Sequence, residues 1–302
     1  MKQGSQLELL DFSQQEDSDV DDQITWLQNS SDPWNLVEKY WVITRQKRLK
    51  NVLDTNTKDL FTISDYMKKF PALKKPAGYN LLIEDFNFMY PDKKEILIEN
   101  FPLHKNKILE LGKINSSNLK DNTLKCIINE YLSLSSASEE ASHLAALLIL
   151  PFLLSPITAK RKKGKAAWRP SKLEMKDGFI THIKSHTELQ DTVSRRKDKY
   201  SKLGVTLQPL IIIVGPNCNE ISQYFILVDD TYYVMNSILT ALDCCFKIIH
   251  ALNLQYPYES LPVWMFIQKG FYEIETLWDT EYVCVNSLLS DLSIIESSQH
   301  NK

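Results

Sequence analysis

The sequence predicts an α+β fold, in which an N-terminal helical part packs with a small antiparallel sheet and long C-terminal helices. Three observations carry this. Apolar residues recur at helical spacing from Trp34 to Leu150. Between Gly178 and Met235 the pattern changes to short apolar runs bounded by turn residues, and from Ser237 onward the helical period returns. With 43% apolar and 24% charged residues in 302, the chain can bury a substantial core.

Residues 1–32 stand apart. They hold eight acidic residues against the single Lys2, and their composition predicts a disordered acidic tail. The remaining residues are mildly basic, so the tail has a surface to fold back on.

The helical part is placed at 33–132. Asp32 is suited to cap a helix with Pro33 at its first position, and Trp34, Val37, Trp41 and Leu49 then share a face. Ile63 to Phe70 reads as a short helix ended by Pro71, and Leu81 to Met89 as one stopped by Tyr90-Pro91. Lys94 to Gly112 reads as a helix interrupted at Pro102, and Thr123 to Tyr131 adds another. The stretch SLSSAS (Ser133 to Ser138) reads as a linker.

A mixed α/β part is placed at 139–302. Ala141 to Leu150 is helical. Gly178 to Ser185 alternates like a strand. Leu207 to Val214 is an apolar run ended by Gly215-Pro216-Asn217. Tyr224 to Val228 and Tyr232 to Met235 flank a turn, which makes a hairpin and an antiparallel sheet. Ser237 to Leu252, Pro262 to Ile274 and Asn286 to Ile295 read as helices, with Trp264 and Phe271 on a buried face.

Localisation follows from what the chain carries. The N-terminus has no apolar stretch of a secretory signal, and its acidity argues against a mitochondrial transit peptide. The run Leu144 to Pro156 is too short to cross a bilayer and predicts a buried helix entering a turn, so no membrane partner is expected. Five cysteines fit a reducing, intracellular compartment.

A screen for chemistry finds no GxxxxGK[ST], GxGxxG, CxxC or GxSxG, and no cofactor, metal or catalytic residue is assigned. Gly215 follows an apolar strand as in a dinucleotide site, but Pro216 removes a backbone donor and no second glycine follows. His182, His186, Glu188 and Asp191 have the residue types of a zinc site without a zincin motif. Cys218 in the turn GPNCNE is a candidate thiol, with His143 and His250 as candidate bases that sit in apolar helical stretches and read as core. Asp229-Asp230 reads as turn chemistry.

The sharpest local signal is basic. Lys160, Arg161, Lys162, Lys163, Lys165, Arg169 and Lys172 place seven cations in thirteen residues without an acid. The KRKK core fits a nuclear-import signal read by an importin, and the same run with Trp168 fits nucleic-acid contact. Ser18, followed by Asp19 and Asp21, is a candidate phosphorylation site for an acidophilic kinase.

Four segments taken together carry a family resemblance. They are ISDYMKKFPALKKPAGYNLLIEDFNFMYP (Ile63 to Pro91), AAWRPSKLEMKDGFITHI (Ala166 to Ile183), LQPLIIIVGP (Leu207 to Pro216) and ALDCCFKIIHALNLQYPYESLPVWMFIQKGFYEI (Ala241 to Ile274). In order and spacing the chain resembles, from Trp41 to Leu292, a group of animal proteins abundant in fish and arthropods. Its members are often named sterile-alpha-motif-domain-containing-like. The group has no established activity, and its multi-copy habit implies mobile-element ancestry. The leading expectation is a non-catalytic, intracellular and nuclear protein-interaction module. A nucleic-acid-binding protein using the 160–172 loop is the first alternative, and an enzyme using His182, His186 or Cys218 is the second.

Overall fold

The computed structural model describes residues 18–53, 62–136, 138–158, 168–276 and 279–299; for Ser18 and residues 294–299 it describes the backbone alone. It has the α+β architecture the sequence predicts, with twelve α-helices and one four-stranded sheet among those residues.

The first helix lies where composition predicted disorder. Helix α1 (Ser18–Asn29) packs on α2 (Trp34–Leu53), with Val20 and Leu27 buried and the Trp26 ring edge-on to Tyr40 at 5.2 Å. Val20, Ile24 and Leu27 recur at helical spacing, a face that the count of charges conceals. Asp21 reaches across to Lys47 of α2 at 2.6 Å, an exposed ion pair between the two helices. Residues 1–17 lie outside the described residues. The α2 helix starts one residue later than predicted, because the Pro33 carbonyl accepts from Leu36 and Val37. Asp32 turns away to Lys75 at 2.9 Å instead of capping the helix, and the Asp32–Pro33 peptide is cis.

Thr62 caps α3 (Ile63–Lys69) by accepting from the Asp65 amide. Helix α4 (Gly78–Met89) opens three residues ahead of its predicted start. Helix α5 (Ile96–Asn118) runs through Pro102 where an interruption was expected. The carbonyl that Pro102 leaves without a helical donor is that of Ile98, an exposed residue, where water can replace the lost bond. Asp121 caps α6 (Asn122–Leu134) and Ser138 caps α7 (Glu139–Leu153). Every residue of α7 from Ala141 to Phe152 is buried, Pro151 included, as a helix apolar on all sides requires. Among the described residues no helix is long and apolar enough to cross a membrane.

Helix α8 (Lys172–Phe179) occupies the start of the stretch predicted as a strand, leaving β1 (Ile180–Ile183) four residues long. Helix α9 (Leu189–Leu203) then carries the chain over to β2 (Leu210–Val214), so β1 and β2 pair in parallel, His182 opposite Ile213. The predicted antiparallel pairing holds for β2 with β3 (Gln223–Val228) and for β3 with β4 (Thr231–Met235). The sheet is therefore mixed, in the order β1-β2-β3-β4. Among the described residues three α-helices follow the sheet: α10 (Ile238–Ala251), α11 (Leu261–Gly270) and α12 (Val283–Gln299).

The period of two divides the sheet between two cores. Ile211, Ile213, Ile226 and Val228 face one continuous core that reaches from Leu27 on α1 to Leu292 on α12. Leu210, Ile212, Val214, Phe225 and Leu227 face the other way, against Val193 of α9. The predicted 33–132 and 139–302 parts thus share one core, with α5 and α6 packed on α7 and α4 packed on α10.

Candidate functional site

The basic run falls in the connection between α7 and α8. Lys160, Arg161, Lys162, Lys163 and Lys165 lie outside the described residues; Trp168, Arg169 and Lys172 lie within them. Their local fold is set by Ser171, which accepts from the Glu174 amide while the Glu174 carboxylate accepts from the Ser171 amide. This reciprocal cap fixes the first turn of α8. It also aims Lys172 at the end of α7. The Lys172 ammonium donates to the carbonyls of Pro151, Phe152 (3.0 Å) and Leu154. Those carbonyls lack helical donors and carry the negative end of the helix dipole. Burial brings the Lys172 pKa down to about 8. Lys172 is thus a structural cap and not a free cation of the run.

Trp168 is also committed. Its half-buried ring lies 5.6 Å from that of Tyr258, and the Lys199 ammonium sits 5.1 Å from its centroid. Stacking on a base would require Trp168 to leave both. Lys199 is itself held by Glu174 at 2.8 Å and by the buried Glu259 at 3.2 Å. Tyr200 donates to the same Glu259 carboxylate, whose pKa burial pushes upward. Glycine is needed at position 178, since a Cβ there would meet the Glu259 Cβ at 2.8 Å. Arg169 is exposed. Tyr258 grips both ends of the run, because its hydroxyl donates to the Ile157 carbonyl at 3.4 Å while its ring faces Trp168.

A groove of about 520 Å³ opens beside this clasp. Leu153, Pro156 and Ile157 line one side, and Tyr282, Val283 and Leu288 of the α12 region line the other. Val283 is 83% exposed, an unusual position for a bare aliphatic side chain at a groove. Asp291 lines it as well.

The other candidates separate clearly. Ser18 is the first residue of α1, with Asp19 and Asp21 in the same turn. His182 and His186 do not converge: His186 lies against the Phe225 ring, and Glu188 accepts from the Lys184 amide. Among the described residues no group of three or more His, Cys, Asp and Glu is placed to hold a metal. His250 is a core residue bonded to the Tyr256 hydroxyl at 2.7 Å, and burial brings its pKa down to about 3. His143 is buried too, and burial lowers its pKa. Asp229 occupies the hairpin turn at φ 55° and Asp230 pairs with Lys197. Cys244 and Cys245 are buried in α10, with the Cys244 thiol pushed up to about 12.

In the sequence Cys218 and His182 are separate candidates; in the fold they meet. The Cys218 sulfur lies 3.7 Å from His182 Nδ1, while His182 Nε2 lies 2.8 Å from the Gly215 carbonyl. Only the parallel β1–β2 register brings these residues together. Its one signal in the sequence is a connection long enough for a helical crossover.

Comparison of the chain with protein-family models, curated proteins and solved structures finds no match.

Proposed function

We propose that the chain is a non-catalytic protein-interaction module that works in the nucleus, and that the 160–165 run is the segment an importin reads. One observation carries the reading. Five cations without an intervening acid stand between two fixed feet, Ile157 and Trp168, which a single tyrosine side chain grips. An import receptor takes several Lys and Arg side chains in acidic pockets along an extended chain. The adjacent groove offers an apolar seat for a protein partner whose carboxylates face the run and not Asp291.

The nucleic-acid reading is weaker, because two of its contacts, Trp168 and Lys172, are engaged inside the fold. The test replaces Lys160, Arg161, Lys162 and Lys163 with Ala in a reporter fusion too large to diffuse through nuclear pores. The expected result is loss of nuclear accumulation with unchanged melting. A fusion that stays nuclear overturns the import role. Filter binding to single-stranded and duplex nucleic acid, weakening with salt and lost in the quadruple variant, would replace the reading with the nucleic-acid one.

A further inference from the structure

The pairing of Cys218 with His182 has the three parts of an assisted thiol: a sulfur, a base within reach, and a third group that orients the base. The third group is the Gly215 carbonyl. A carbonyl only accepts, so His182 carries its proton on Nε2 and presents the Nδ1 lone pair to the sulfur. The turn that holds both partners is tight. The Gly215 amide donates to the Ile183 carbonyl, and a Cβ at 215 would sit 2.1 Å from the Glu220 carbonyl oxygen. Cys218 therefore cannot drift from the imidazole without opening the turn. It is 8% exposed, but it lies in a surface turn among the exposed residues Pro216, Asn217, Asn219 and Glu220. Its side chain also packs against the main core, so a reagent that reaches it must be small.

We propose that Cys218 is a site of mixed-disulfide formation with low-molecular-weight disulfides, with His182 as the base that removes the thiol proton. In the step, the S–H bond breaks as its proton passes to Nδ1, and the sulfur attacks one sulfur of R–S–S–R. A Cys218–S–S–R bond forms as the R–S–S–R bond breaks. The electron pair leaves with RS⁻, which recovers the proton from the imidazolium and departs as RSH. Cys218 is oxidised, the small disulfide is reduced, and no other reactant is needed.

The surroundings make the base necessary. Burial pushes the thiol pKa up; Lys176 on α8 draws it down and Glu130 on α6 adds to the rise, while the Tyr131 hydroxyl is the neighbouring titratable group on α6. A thiol held protonated reacts only when its proton has somewhere to go. Cys126 is exposed and supplies the internal control.

The test incubates the full chain with oxidised glutathione and maps the adducts at Cys126, Cys218 and Cys284 by mass spectrometry. Cys218 is expected to form the adduct, at a rate that falls about tenfold or more in His182→Gln while the Cys126 rate stays constant. Failure of Cys218 to react while Cys126 does, or an unchanged Cys218 rate in His182→Gln, overturns the proposal. A measurement on the unsubstituted protein covers the case in which that variant does not fold. From about pH 6 to about pH 8 an unassisted thiol gains close to tenfold in rate per pH unit, whereas a thiol that hands its proton to a neighbouring base, as Cys218 should, climbs less steeply. Parallel profiles at the two cysteines overturn the assignment.

Discussion

The contact of α2 with α4 and the connection from α10 to α11 each bury a polar network, one built on an ion pair and one around an uncharged histidine. In the first, Arg48 is 2% exposed and all five of its N–H donors are used. Two go to Asp85 (2.7 and 3.0 Å), and the others go to the Tyr66 hydroxyl, the Trp41 carbonyl and the Thr44 hydroxyl. The guanidinium also lies 3.5 Å from the centroid of the Trp41 ring. In the second, the Tyr256 hydroxyl donates to Gln268 Oε1, so His250 must donate from Nε2 to the Tyr256 oxygen. Gln268 in turn donates to the Ile274 carbonyl and to Asp279. Burial keeps the His250 imidazole neutral, with its one proton on Nε2. The comparison teaches that burial tolerates charge where a bidentate partner and a full set of acceptors are present, and otherwise suppresses it.

Removing one partner is the strongest way to break the charged network. Asp85→Ala leaves Arg48 buried without its counter-ion and should cost about 3–5 kcal/mol in urea unfolding. The double substitution Arg48→Met with Asp85→Leu should recover most of that loss. A double variant as unstable as the single one would show that the charges stabilise beyond their own pairing. On the histidine side, Trp264 is fully buried and its ring stacks at 5.9 Å on Tyr256. Trp264→Ala should cost a similar amount, about 3–5 kcal/mol, and unchanged melting would refute its place in the core.

Acid probes the histidine network from within. The folded pKa of His250, about 3, lies below the ordinary 6.5, so between these values the unfolded chain binds a proton that the folded chain refuses. Stability is then lost as pH falls through that window, by about 1.4 kcal/mol per pH unit from this residue. Denaturation curves for the parent and His250→Gln should differ by that slope, and equal slopes would sink the assignment. The smallest expected effect is at the α8 cap, where Ser171→Ala should cost about 1 kcal/mol and loosen the foot of the basic run. Faster proteolysis near Trp168 would report the loosening.

What the sequence made legible was local. A helix apolar on every side, α7, and a hairpin closed by Asp229-Asp230 each express their structure within a short window. The acidic segment misled because composition averages over a face: three apolar residues at helical spacing suffice to seat α1. Lys172 read as one cation among seven, although Ser171 and Glu174 already stood at capping-box spacing and marked a helix start. The Cys218–His182 contact and the Arg48–Asp85 pair join residues 36 and 37 positions apart. Nothing local announces either, since both depend on how whole elements pack.

The Tyr258 clasp makes the two ends of the basic run neighbours in space, whatever lies between them. A cut in that stretch should therefore leave the body together. A single tryptic nick between Thr158 and Trp168 should give two bands under denaturing conditions and one undiminished particle in gel filtration. The same closeness makes this the place to open new termini. A circular permutant starting in the run, with its original ends tethered by a flexible linker, should keep the parent's fold while carrying its cations at a free end.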